Sequence, residues 1–92
     1  MEIEFDLGKS ARNDKERGLP FERAAELDWN KAVAYADDRQ DYGERRIIAL
    51  APMQERLFVV CCVMRGEVRR IISFRKANKR EERIYEEAIT DR

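Results

Sequence analysis

Histidine is missing from all 92 residues. Its absence excludes a Cys–His nucleophile and any histidine-based acid–base pair. Cysteine is nearly absent too, confined to the neighbours Cys61 and Cys62 inside an apolar run. Adjacent strand residues point to opposite faces, so these two are poorly placed to bridge one another. We read both as reduced core residues of a cytoplasmic protein. Two adjacent thiols without an imidazole do not make a structural zinc site, and no metal or cofactor is expected. No run of about 20 apolar residues exists and no charged-then-apolar leader opens the chain, so neither membrane spanning nor export is expected. Repeats and low-complexity segments are also lacking.

Net charge is the last absence, and it conceals an asymmetry. Lys and Arg number 19, as do Asp and Glu. Residues 1–44 hold 7 cations against 12 anions, and residues 45–92 hold 12 against 7. Such a dipolar chain can turn a basic patch to nucleic acid and an acidic patch to a protein. The plainer alternative is a solvated surface of mixed sign. At 92 residues one domain, spanning 1–92, is expected. It would bury roughly 60–68% of its unfolded surface.

The pattern predicts α+β architecture. Ile3–Phe5 reads as a short extended lead-in, and Asp6 as the N-cap of a helix over Leu7–Arg17 stopped by Gly18. Leu19-Pro20 reopens a second helix with Phe21, Ala24, Ala25 and Leu27 on its buried side. Strands come next at Ala32–Ala36, Arg45–Leu50, Leu57–Met64 and Val68–Lys76. A polar connection spans Asp37–Glu44, Pro52 ends a strand ahead of a turn over Met53–Glu55, and Arg65-Gly66-Glu67 makes a hairpin turn. Asn78 with Glu81 resembles a capping box opening a last helix to about Ile89. Two N-terminal helices, a four-stranded antiparallel meander and a C-terminal helix result. Leu57–Met64 is apolar throughout and wants cover on both faces. Either the last helix lies opposite the first two, or a partner protein supplies the cover.

The join between the last strand and last helix carries the most chemistry. Arg75, Lys76, Lys79 and Arg80 crowd a helix N-terminus, where each cation costs about 0.3–1 kcal/mol. Free N–H groups beside Lys and Arg make a phosphate seat, which points to a polyanionic partner. Strand parity puts Val68, Arg70, Ile72, Phe74 and Lys76 on one face and Arg69, Ile71, Ser73 and Arg75 on the other. Phe74 and Ile72 are then the better core pair. Arg70 joins Arg75 only if a bulge shifts the register. Arg46 and Lys9 are further cation candidates. Glu81 and Tyr85 are possible proton carriers, although Glu81 reads first as a cap and Tyr85 as a half-buried stripe residue. Cations without metal ligands or imidazole suit RNA cleavage, in which the 2′-hydroxyl is an internal nucleophile. DNA lacks that hydroxyl and would merely bind.

In order and spacing the chain resembles the BrnT-type toxins of bacterial type II toxin–antitoxin systems, small ribonucleases with a RelE-like fold. The resemblance rests on Asp6, Lys9, Asn13 and Gly18, then Phe21, Glu22 and Ala24, then Asp41-Tyr42-Gly43-Glu44 and Arg46. It is strongest at Arg70-Ile71-Ile72-Ser73, Arg75, Lys76, Ala77, Glu81 and Tyr85. It implies an endoribonuclease that inhibits translation and is neutralised by a cognate DNA-binding antitoxin, the pair repressing its own operon. By match, Lys9, Arg46, Arg70 and Arg75 become the expected catalytic residues. Ser73, also singled out by match, joins Lys76 and the helix-start cations Lys79 and Arg80 as the expected RNA contacts. Where the family usually carries Lys-His-Gly, this chain has Glu16-Arg17-Gly18. Family members often have Trp at the place of Phe5 and a small residue at the place of Phe74. Arg17 keeps a positive charge but cannot shuttle protons near neutral pH. A catalytically weak member acting through an antitoxin and operator complex is therefore the alternative. A plain RNA-binding domain is a third reading, and the few exposed aromatics count against sequence-specific stacking.

Overall fold

The computed structural model describes residues 2–91. Asp6 accepts the Lys9 N–H at 2.9 Å and caps α1 (Leu7–Arg17), and Gly18 closes it with φ 68°. This helix matches the expected bounds. The second expected helix does not form as an α-helix: Phe21–Glu26 is a 3₁₀ helix, with Trp29–Lys31 a second short 3₁₀ turn. Phe21, Ala24 and Leu27 are all buried while Ala25 is exposed. A spacing of three between buried residues matches the period of a 3₁₀ helix, on which positions i and i+3 eclipse. The Phe21 N–H is taken by the Ser10 hydroxyl at 2.8 Å, which fixes the start of the segment against α1.

The sheet also departs from the expected meander. Its strands are β1 (Glu2–Glu4), β2 (Val33–Ala36), β3 (Arg46–Met53), β4 (Arg56–Arg65) and β5 (Val68–Lys76). The order is β1-β5-β4-β3-β2. β2 to β5 form the antiparallel meander, but β1 pairs parallel with β5, Glu4 opposite Arg70. The architecture is thus a five-stranded mixed sheet, and neither the pair of N-terminal helices nor the four-stranded RelE-like sheet holds. Three residues of alternating Glu-Ile-Glu carry little periodicity. Their partner lies 66 positions downstream, beyond anything local pattern reports.

Pro52 does not end β3, which runs on to Met53. β2 covers β3 only over Ile47–Leu50, so Pro52 stands on an edge stretch where no ladder donor is needed. The turn after it is Gln54-Glu55, with Gln54 at φ 58°. α2 (Lys79–Thr90) begins with the expected reciprocal capping box between Asn78 and Glu81.

One sheet face carries the main core. Leu19, Phe21, Ala24 and Leu27 pack on Ala51, Met53, Phe58, Val60, Cys62, Ile71 and Phe74. The Phe58 and Phe74 rings lie 5.6 Å apart. Ile71, not Ile72, is the buried partner of Phe74. α2 lies over the other face near Tyr35 and Ile48, so the last helix does sit opposite the N-terminal segments. It buries no residue of its own. Leu50, Val59, Cys61 and Val63 on that face are nonetheless buried.

Candidate active site

A β-bulge decides the site. Cys61 pairs with Ser73 and Cys62 with Ile71, leaving Ile72 as an extra residue in β5. That extra residue resets the alternation. Arg70, Ser73 and Arg75 then share one face, and Ile71 and Phe74 share the other. The uninterrupted parity read from sequence is corrected accordingly.

The same register brings in Arg46. Val63 is flanked by Arg46 on β3 and Arg70 on β5, Cys61 by Ile48 and Ser73, and Val59 by Leu50 and Arg75. Arg46 and Arg70 are two strands apart, about 10 Å between backbones. Two long guanidinium side chains can converge across that gap over the small apolar Val63.

Their present partners differ. The Arg46 guanidinium lies 4.0 Å over the Tyr42 ring, and its Nε is buried without a hydrogen-bond partner. Arg70 approaches Glu4 at 3.5 Å, and Arg65 meets the same carboxylate oxygen at 3.5 Å. Long, partly exposed pairs of this kind contribute little and exchange readily. Arg75 is held firmly: both its terminal nitrogens donate to Glu81 at 2.8 Å. Glu81 also accepts the Asn78 N–H at 2.9 Å. Arg75 first, and then that N–H, hold the Glu81 carboxyl below its ordinary pKa despite burial.

Lys9 is exposed in the first turn of α1. The Lys9 N–H is the main cause of a lowered Asp6 pKa, and the Lys9 and Arg70 charges add to it. The helix start therefore sits at the Arg70 end of the site. Lys76 falls on the opposite face, paired with Phe58, although it shares a cleft with Arg17, Leu19 and Arg75 at the strand end. Lys79 and Arg80 stand exposed in the first turn of α2, beside Glu81 and Glu82, which offset the cations at that dipole. Tyr85 is half-buried as expected, and its hydroxyl also donates to the Lys31 carbonyl at 2.8 Å, which ties α2 to the chain ahead of β2.

Three features went unread in the sequence. Asp37, buried, receives two hydrogen bonds from Arg39 at 2.7 Å, and the Cys61 thiol lies 3.8 Å away. Arg39 chiefly pulls the Asp37 carboxyl down to about 2, against the upward push of burial. Burial raises the Cys61 pKa, so that thiol stays protonated at neutral pH. Asn13 is the second feature. Its amide donates to the carbonyls of Leu19 at 2.7 Å and Phe74 at 2.9 Å, and accepts from Arg17 at 2.8 Å. It closes the edge of β5 beyond the reach of β1. The third is the Arg46–Tyr42 stack; the acid–base spacing Asp37-x-Arg39 and the Tyr42/Arg46 pair were the available signals.

A family model described as the ribonuclease toxin BrnT of type II toxin–antitoxin systems matches residues 5–81. The chain belongs to the BrnT family. No curated protein matches it significantly. Family membership brings with it a toxin role, ribonuclease character at the level of the family, and an antitoxin partner. The matched span ends at Glu81, so it includes the bulge, all three site arginines and the carboxylate that holds Arg75. Among the described residues no helix is long and apolar enough to cross a membrane.

Proposed function

We propose that the protein is an endoribonuclease toxin that cleaves RNA through the ribose 2′-hydroxyl and so inhibits translation. The observation that carries this reading is the bulge-aligned face of Arg46, Arg70, Ser73 and Arg75. The 2′-oxygen attacks phosphorus, the bond to the 5′-oxygen breaks, and a cyclic phosphate and a 5′-hydroxyl result. Arg46 and Arg70 neutralise charge that develops on the phosphoryl oxygens. Groups placed this way contribute about 10²–10³ in rate each. Ser73 donates its hydroxyl to a phosphate oxygen, and Arg75 grips the phosphate once Glu81 lets go. Glu81 is the candidate to take the 2′-hydroxyl proton, and water protonates the leaving oxygen. Lys9 orients the backbone at the Arg70 end. Lys76, Lys79 and Arg80 extend the basic path beyond Arg75. No metal is assigned a role.

In this reading a cognate DNA-binding antitoxin neutralises the protein by covering the arginine face, and the pair reaches operator DNA through the antitoxin. The assay is purified protein with RNA in chelator. Cleavage is expected, with loss in Arg70→Ala and Arg75→Ala. Cleavage unchanged in both variants would remove these residues from the site.

One observation favours a second reading. Arg17 stands where the family usually carries histidine, and its guanidinium is spent on Asn13. With Arg75 also engaged by Glu81, the chain would serve as a non-catalytic module of the antitoxin and operator complex. Expression in a bacterium without the antitoxin separates the two. Growth arrest supports the enzyme, and normal growth with well-folded protein supports the module.

A further inference from the structure

Four large apolar side chains are exposed among the described residues: Leu7, Tyr35, Ile84 and Ile89. Two of them meet. Tyr35, 41% exposed on β2, and Ile84, 38% exposed on α2, line the same cleft of about 280 Å³. Ile48 lies beside them, and the polar walls carry Arg39, Arg80 and Asn78 together with the carboxylates of Asp37 and Asp38, Asp37 being paired with Arg39. Glu81 lines it too, so this space opens directly onto the Arg75–Glu81 pair. By strand parity Tyr35, opposite Ile48, is on the arginine face.

We propose that this cleft is a nucleobase subsite, in which Tyr35 stacks on the base adjacent to the phosphate held by Arg70 and Arg75. The inference rests on the ribonuclease reading and adds where the substrate's base goes. An aromatic ring left half exposed beside a row of guanidinium groups suits a ligand that is flat and apolar on its faces and anionic along its edge. A nucleotide is such a ligand. Base stacking on one aromatic tolerates any base, whereas Asn78 and Arg80 can hydrogen-bond a base edge and confer preference. Tyr42 is not available for this role because Arg46 already covers its ring. The chain therefore offers one stacking position here, which suits a single base beside the scissile bond better than a long single-strand track.

The test is fluorescence anisotropy with a 2′-O-methyl RNA oligonucleotide, which binds but cannot be cut, and with a series carrying one abasic position each. Tyr35→Ala is expected to weaken binding about 5- to 150-fold. Tyr35→Phe should stay within about twofold of wild type, and Ile89→Ala, altering an exposed residue outside the cleft, should change nothing. At one abasic position the wild type and Tyr35→Ala should bind equally. Wild-type affinity in Tyr35→Ala, or an equal loss against every abasic oligonucleotide, overturns the subsite. Intact RNA affinity with escape from neutralisation by the co-expressed antitoxin overturns it too, and assigns the cleft to protein docking. If Arg70→Ala and Arg75→Ala change neither binding nor cleavage while Tyr35→Ala weakens binding, the arginine assignment falls and the subsite stands. No RNA affinity in the wild type removes both.

Discussion

Asn13→Ala tests how the site is held. The side chain is buried and donates to two carbonyls on separate segments, Leu19 and Phe74, while accepting from Arg17. Alanine leaves both carbonyls without this donor, and both hydrogen bonds are buried. A buried group stripped of its partner costs about 1–3 kcal/mol, so the pair costs about 2–6 kcal/mol. A chain this size has about 5–14 kcal/mol in total, so the variant loses a large share of it. Urea unfolding should show a lower midpoint with an unchanged slope. Thermal unfolding should fall by at least about 8 °C. Asn13→Asp should be no better, since a carboxylate would face two carbonyl oxygens. A loss under about 1 kcal/mol in Asn13→Ala would refute the view that this amide joins α1 to β5.

Arg70→Ala should lower RNA cleavage about 10²–10³-fold with normal unfolding behaviour, read by initial rates and circular dichroism. Glu81→Gln should bind 2′-O-methyl RNA more tightly than wild type, because Arg75 is released and one negative charge is removed. Its cleavage should fall, because the proton acceptor is gone; tighter binding with full cleavage would remove Glu81 from the chemistry. Glu81 and Asp37 both have lowered pKa values in the folded protein. Their stabilisation is therefore complete above their ordinary values, 4.5 and 3.8, and fades as pH falls below them, for Asp37 from 3.8 down through about 2. Urea midpoints between pH 5 and 2 should fall in wild type, with the Glu81 part absent in Glu81→Gln. Gln54→Gly should stabilise by up to about 1 kcal/mol, since Gln54 adopts φ 58° at the β3–β4 turn, and should raise the melting temperature by a few degrees.

Local chemistry made much of the fold legible. Asp6 with Gly18, and Asn78 with Glu81, announce their helices because caps are short-range hydrogen bonds written in adjacent residues. The bounds of β5 were readable from its β-pattern and flanking turn, although its bulge was not. The parallel pairing of Glu2–Glu4 was not, because it depends on a strand 66 positions away. The site was half legible. Arginine identities and the condition for uniting Arg70 with Arg75, a bulge, could be stated from parity alone. That Ile72 provides the bulge depends on which of two isoleucines packs better on Phe74 and Cys62, a tertiary choice. The Asp37–Arg39 pair was hidden because a buried carboxylate in a polar loop looks like any solvated one.

The pairing of the first strand with the last has a temporal consequence. Residues 2–4 are synthesised before their seat on β5, which exists only after Val68–Arg70 has emerged. Arg46 and Arg70 likewise come together only through β4 between them. The chain must therefore be made at least through Arg75 before the arginine face can assemble.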